Sequence, residues 1–199
     1  MKELEWDKQL NIQTIGRDDS EEDNYHHPYE PTPYSVLERL ADSGYIEQEN
    51  ILIDYGCGKG RVGFYLNHRF GCQTIGIEFS EKIYAQAIEN QKRYKNSQDV
   101  KFVCQSAEQY MIEDADCFFF FNPFSVEILK SVMGRILDSY YENPRVMRLF
   151  FYYPDVEYIG YLLAGNLDLV DFADEIDCLD LFDGNDEREK ILVFEIGNW

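Results

Sequence analysis

The most constraining feature of this chain is a short apolar run, Ile51-Leu52-Ile53, that ends in Asp54-Tyr55-Gly56-Cys57-Gly58-Lys59-Gly60-Arg61-Val62-Gly63. Glycines at that density let a backbone approach a ligand closely and take up positive φ. A helix is expected from about Arg61 to Phe70, and its first turn aims free N–H groups and a partial positive charge at the loop. A strand, glycine loop and helix in succession point to an α/β chain. The bland alternative is that the glycines only make a tight turn.

The rest of the chain repeats the alternation. Further strands are expected at Gln73–Glu78, Val100–Cys104, Asp116–Phe121 and Val146–Tyr153. Helices are expected at Tyr34–Asp42, from Ser80 to about Tyr94, at Ala107–Met111, at Val126–Tyr141 and at Asp155–Leu163. Strands alternating with helices mean a doubly wound, mostly parallel sheet with helices on both faces. After Ala164 the alternation stops. Leu167–Ala173 and Lys190–Ile196 read as a closing antiparallel pair, joined by an acidic loop from Asp174 to Glu189. Residues 1–34 read as a polar, irregular arm, with an acidic run at 18–23 and prolines at 28, 31 and 33 that forbid a helix interior. Its Tyr25, His26, His27, Tyr29 and Tyr34 form a candidate lid over the main domain, residues 35–199.

Composition bounds the function. The 199 residues carry 18 Lys plus Arg against 38 Asp plus Glu, a formal charge of −20, with 45% hydrophobic residues. The apolar fraction is that of a folded domain, and the acidity argues against a stand-alone nucleic-acid binder, which needs a basic face. Five cysteines with no Cys-x-x-Cys pair read as reduced thiols of a cytoplasmic protein. Zinc-ligand spacing is absent, so no metal is expected. No apolar run is long enough for a bilayer, and the first residues do not read as a signal peptide.

Two ligands compete for the glycine loop. Gly58-x-Gly60-x-x-Gly63 matches a dinucleotide fingerprint, with Glu78 at the end of the second strand for a ribose. Gly56, Gly58 and Gly60 preceded by Asp54 instead resemble the Asp-x-Gly-x-Gly-x-Gly loop of the class I methyltransferases that use S-adenosylmethionine (SAM). Asp54 favours the second, because a carboxylate sits badly beside an anionic pyrophosphate and well beside an ammonium. The terminal strand pair also resembles that family. The resemblance implies a seven-stranded sheet of order 3-2-1-4-5-7-6 with strand seven antiparallel. It implies that Gly56, Gly58 and Gly60 cradle SAM, that Asp54 meets its amino group, that Glu78 binds its ribose and that Phe79 lies beside its adenine. Where the family often places an acidic residue before Ala, this chain has Ser106-Ala107.

Asn122-Pro123-Phe124 stands where the family keeps its catalytic loop. It resembles the Asn/Asp-Pro-Pro-Tyr/Phe motif of amino-group methyltransferases with one proline missing. The resemblance makes Asn122, Pro123 and Phe124 the catalytic candidates, with a nitrogen acceptor. The alternative is that Asn122-Pro123 simply ends a strand and starts a helix. Tyr152-Tyr153-Pro154 falls on the same rim. Methyl transfer needs alignment and water exclusion more than a strong base, so the lack of a Ser-His-Asp or Cys-His set is no objection. The expected acceptor is a basic protein or a small molecule, with an RNA base also open. Sequence-specific DNA is disfavoured because no segment is left over to recognise it. The alternatives are a SAM-binding module without catalysis and a nicotinamide-dependent oxidoreductase.

Overall fold

The computed structural model describes residues 3–17, 29–164, 167 and 169–197. One seven-stranded sheet organises them. Its strands are β1 (Ile51–Tyr55), β2 (Gln73–Glu78), β3 (Val100–Cys104), β4 (Cys117–Phe120), β5 (Met147–Tyr152), β6 (Val170–Asp177) and β7 (Lys190–Ile196). Their spatial order is β3-β2-β1-β4-β5-β7-β6. The first five strands pair in parallel, whereas β7 runs antiparallel to both β5 and β6. This is the sheet implied by the resemblance.

Helices cover both faces: α1 (Glu3–Leu10), α2 (Tyr34–Asp42), α3 (Arg61–Phe70), α4 (Glu81–Arg93), α5 (Val126–Glu142) and α6 (Val156–Leu163). The core divides accordingly. Leu52, Cys117, Phe119 and Phe150 face the cluster built with Trp6, Leu37, Leu40 and Phe64. Ile53, Phe118, Phe120 and Phe151 face the cluster built with Leu129, Val132, Met133 and Ile136. All four residues of β4 are buried, because a central parallel strand is covered on both sides.

Local chemistry fixes the helix ends. Ser80 caps α4, its hydroxyl accepting from the Ile83 N–H at 3.4 Å, and Asp155 caps α6 by accepting from Glu157 N at 2.8 Å. Gly71, at φ +75°, ends α3 with its N–H on Asn67 O at 2.7 Å.

Three expectations need correction. The arm is not irregular at its start, since Glu3–Leu10 is helical. Its Trp6 is buried, stacking on Tyr34 at 5.8 Å and edge-on to Tyr65 at 5.0 Å, while Asp7 and Leu10 are buried beside it. The expected helix at Ala107–Met111 is a single 3₁₀ turn, Ala107–Gln109. The sixth strand lies at Val170–Asp177, displaced toward the C-terminus and taking in the start of the expected loop. Its pairing with β7 carries an irregularity between Phe172 and Asp174. The expected lid residues Tyr25, His26 and His27 lie outside the described residues. The chain has 5 cysteines, and all are free thiols, with only Cys104 exposed.

Candidate active site

In an open parallel sheet the strand order reverses at one point, and the crevice there opens beyond the carboxyl ends of the strands. Here the reversal falls between β1 and β4. A cavity enclosing about 940 Å³ of empty space, its open mouth included, lies at those ends. Asp54, Gly56, Glu78, Phe79, Ser106, Ala107, Asn122, Pro123 and Phe124 all line it. So do Tyr29, Thr32, Arg61 and Phe121.

The glycine loop is shaped as its composition requires. Gly56, Gly58 and Gly60 have φ of +70°, +56° and +89°. A Cβ at Gly56 would lie 2.4 Å from Pro123 Cβ, and one at Gly58 would lie 2.1 Å from the Tyr29 ring. Gly58 and Gly60 do not themselves line the cavity. Gly58 sits under Tyr29 and donates its N–H to Glu78 Oε2 at 3.0 Å. Gly60 is packed against Phe102 and Phe64. Gly63 lies inside α3 and faces Thr74 rather than a ligand. Glu78 also accepts from Ser80 N at 2.9 Å, so its carboxylate ties the loop to the start of α4.

Asp54 is the electrostatic centre of the site. It is 4% exposed, and its Oδ2 has no hydrogen-bond partner among the described residues. Burial pushes its carboxyl well above the usual carboxylate range, and the nearby Glu78 pushes it further. A buried carboxylate oxygen without a partner is costly, and a bound cation removes that cost. Burial and the same two acids push the Cys57 thiol up as well, so it is a neutral thiol rather than a nucleophile.

At the end of β4, Asn122 takes a positive φ of +40°, uncommon outside glycine. Both polar ends of its side-chain amide are engaged: Nδ2 donates to Tyr153 O at 2.5 Å, and Oδ1 accepts from Asp155 N at 3.0 Å. Asn122 therefore clamps the end of β4 to the turn after β5. Phe124 is 4% exposed and packs edge-on to Tyr55 and Phe120. Neither Tyr152 nor Tyr153 lines the cavity, but both rings touch Phe121, which does. The Tyr152 hydroxyl donates to Glu189 Oε2 at 2.7 Å and the Tyr153 hydroxyl to Asp186 Oδ2 at 2.5 Å. Arg188 lies over the Tyr153 ring at 4.2 Å.

Comparison with known proteins agrees with this architecture. Residues 52–142, from β1 through α5, match the family described as "Methyltransferase domain". Over those residues the chain is similar to methyltransferase domains, and its sheet order is the one the resemblance implies. Among similar proteins is a protein-lysine N-methyltransferase of Saccharolobus islandicus (strain REY15A), 32% identical over 66 residues, or 33% of this chain and 41% of that one. Another is the zinc finger CCCH domain-containing protein 24 of Arabidopsis thaliana, 36% identical over 78 residues, which are 39% of this chain and 9% of that one. The chain thus spans less than half the length of either. An RNA methyltransferase of Salinibacter ruber, solved with S-adenosyl-L-homocysteine, shares the fold with a TM-score of 0.58 at 18% identity, covering 85% of this chain and 95% of that one.

The residues present fit the cofactor of this methyltransferase family. The orphaned Asp54 Oδ2 suits an ammonium, and the loop at Gly56 leaves no room for a side chain. Among the described residues no cluster of His, Cys, Asp and Glu could hold a metal ion, and no helix is long and apolar enough to cross a membrane.

Sequence reasoning named Tyr29 in a candidate lid but missed Thr32 and Arg61 in the cavity wall. Tyr29 lies on Gly58, its hydroxyl donating to Thr14 O at 2.5 Å, with Lys59 Nζ 4.8 Å above its ring. Arg61 is buried under Thr14, Thr32 and Glu3. A basic residue directly after the last loop glycine was the available signal, but its partners, Glu3 in α1 and Thr14 and Thr32 in the segments between helices, are distant in sequence.

Proposed function

We propose that this chain binds SAM in the cavity at the ends of β1 and β4 and transfers the methyl group to a nitrogen acceptor. One observation carries the binding reading: a buried carboxylate, Asp54, whose Oδ2 has no partner among the described residues and stands behind a loop that admits only backbone. SAM, when bound, supplies a methyl group activated on a sulfonium. Asp54 would hold its amino group, Glu78 its ribose, and Phe79, Ser106 and Ala107 the adenine end. Asn122 and Pro123 would form the wall beside the acceptor, and Phe124 with Phe121 would exclude water.

The acceptor side favours a basic partner. Glu30 at the cavity, and Asp155, Asp186 and Glu189 beyond it, are four carboxylates around the tyrosine pair, against two cations that are already paired, Arg188 with Asp186 at 2.9 Å and Arg17 with Glu30 at 3.7 Å. A phosphate backbone would be repelled there, and a protonated amine drawn in. The likeness to a protein-lysine N-methyltransferase supports a protein side chain. A small amine fits the same charges.

A second reading, a SAM-binding module without catalysis, is favoured by one observation. Both polar ends of the Asn122 amide are engaged within the protein, Nδ2 with Tyr153 O and Oδ1 with Asp155 N. Labelled-methyl transfer from SAM into a cell extract, separated into protein, RNA and small-molecule fractions, decides between them. Label in protein or in small amines supports the enzyme reading. Label in RNA alone overturns the basic acceptor, and no label in any fraction despite measured SAM binding favours the module.

A further inference from the structure

We propose that Arg61 receives the carboxylate of the cofactor's amino-acid end, so that the pocket reads a zwitterion with Asp54 at one pole and Arg61 at the other. This rests on the SAM reading of the cavity and adds a residue that the glycine-loop motif does not specify.

Arg61 is the first residue of α3, immediately after Gly60, and it lines the same cavity as Asp54. Its side chain is 4% exposed. A guanidinium has five N–H donors in a fixed plane. Nε donates to Thr14 Oγ1 at 2.7 Å, and Nη1 donates to Thr32 O at 3.0 Å and to Glu3 Oε2. Nη2 makes no hydrogen bond among the described residues. Its nearest carboxylate oxygen, Asp7 Oδ1, is 3.9 Å away, beyond hydrogen-bond range. Asp7 is already engaged: Oδ1 accepts from Thr14 Oγ1 and from the Tyr34 hydroxyl, each at 2.7 Å, and Oδ2 accepts from Thr14 N at 2.6 Å.

The guanidinium is therefore held in place with one nitrogen unused. The arm fixes it from above through Glu3, Thr14 and Thr32, and the Tyr34 ring lies beneath it at 4.4 Å. Arg61 and Thr32, which accepts from Nη1, both line the cavity, so the guanidinium is within reach of a ligand there. A carboxylate offers a planar oxygen pair to such a donor. A phosphate fits worse, because a dianion would meet Asp54, Asp7 and Glu3 together. A zwitterion brings one negative and one positive charge and suits a pocket with both.

Isothermal titration with SAM and with decarboxylated SAM tests this. The second ligand keeps the adenosyl group, the sulfonium and the ammonium and lacks only the carboxylate. The natural chain is expected to prefer SAM by about tenfold or more, the range of a charge-assisted hydrogen bond. Arg61→Gln is expected to weaken SAM by that factor and to leave decarboxylated SAM within about threefold, so the preference collapses. Arg61→Lys retains part of it. Equal binding of the two ligands by the natural chain overturns the inference without any variant, as does an Arg61→Gln chain that loses both ligands alike while keeping its circular dichroism and melting temperature. If Arg61→Gln fails to fold, the comparison on the natural chain and on Arg61→Lys decides. If the natural chain binds neither ligand, the SAM reading itself falls and this inference with it. SAM binding without discrimination removes the inference alone.

Discussion

Asp54 is a residue placed at a cost. Its neutral form is favoured in the empty pocket, because burial and Glu78 both oppose its charge. Its carboxyl is raised, so between the ordinary carboxylate value and the raised one the folded chain binds more protons than the unfolded chain. This contribution to stability falls as pH rises through that window. A cationic ligand reverses the preference. SAM binding is expected to release protons and to tighten as pH rises through the raised value. Titration calorimetry in two buffers of different ionisation enthalpy measures that release. Asp54→Asn is expected to weaken SAM at least hundredfold, since removing one partner of a buried pair costs about 3 kcal/mol or more. The same variant should melt no lower than the natural chain without ligand, because the residue it replaces stabilises nothing there.

At the scale of elements, the glycine loop and α1 behave as one unit. Gly60 has no spare volume on its Cβ side: a methyl group would stand 2.4 Å from Phe102 Cζ and 2.9 Å from Phe64 Cε2, at a φ of +89°. Gly60→Ala is expected to cost about 3 kcal/mol, from a left-handed backbone and an overpacked contact together, read by urea denaturation. Trp6→Ala is expected to cost a similar amount, about 3 kcal/mol, because the ring covers Tyr34 and Tyr65 and its Nε1 donates to Glu38 Oε1 at 2.9 Å.

Elements with a strong apolar rhythm are legible in the sequence. The β4 run and the α5 heptad-like spacing place themselves, and so does the loop between Asp54 and Gly63. The helix α1 is not legible, since only Trp6 and Leu10 mark its apolar face and the third buried residue, Asp7, is charged. Strand β6 is displaced for a related reason: only Ile176 is buried along it, so no alternation marks its length. The cavity wall supplied by Thr32 and Arg61 is hidden because it depends on α1 docking. Asn122 shows the limit of motif reading in the other direction. Its position at the cavity follows from the motif, whereas the engagement of its amide by Tyr153 and Asp155 needs the β5–α6 turn in space.

At the scale of the molecule, the cavity is assembled from the N-terminal arm and the central part of the chain, Tyr29 through Ile128, around the ends of β1, β2 and β4. A ligand that fills it holds those parts together and binds only the folded state. At one hundred times its dissociation constant such a ligand adds about 2.7 kcal/mol, which for a chain of this size raises the melting temperature by roughly 5–10 °C. S-adenosyl-L-homocysteine is expected to give that shift in a thermal scan and NAD to give none. A shift with NAD alone would return the glycine loop to the dinucleotide reading. The charge of −20 also acts at this scale. With Glu30, Asp155, Asp186 and Glu189 around the acceptor side, transfer to a cationic acceptor is expected to slow as salt is added from about 50 to 300 mM, through weaker capture rather than slower turnover. Steady-state rates at several acceptor concentrations separate the two.

Trp6 gives the molecule a built-in optical gauge. The chain has 2 tryptophans, and this one lies against Tyr34, the ring that also carries the Arg61 guanidinium. Excited-state quenching by nearby tyrosine, histidine and carboxylate groups depends on such contacts, so the emission of Trp6 follows how firmly the first helix grips the cofactor loop. With Trp199 replaced by Phe, the remaining fluorescence reports ligand arrival from a site that the ligand never touches, and stopped-flow mixing turns that signal into a clock for pocket closure.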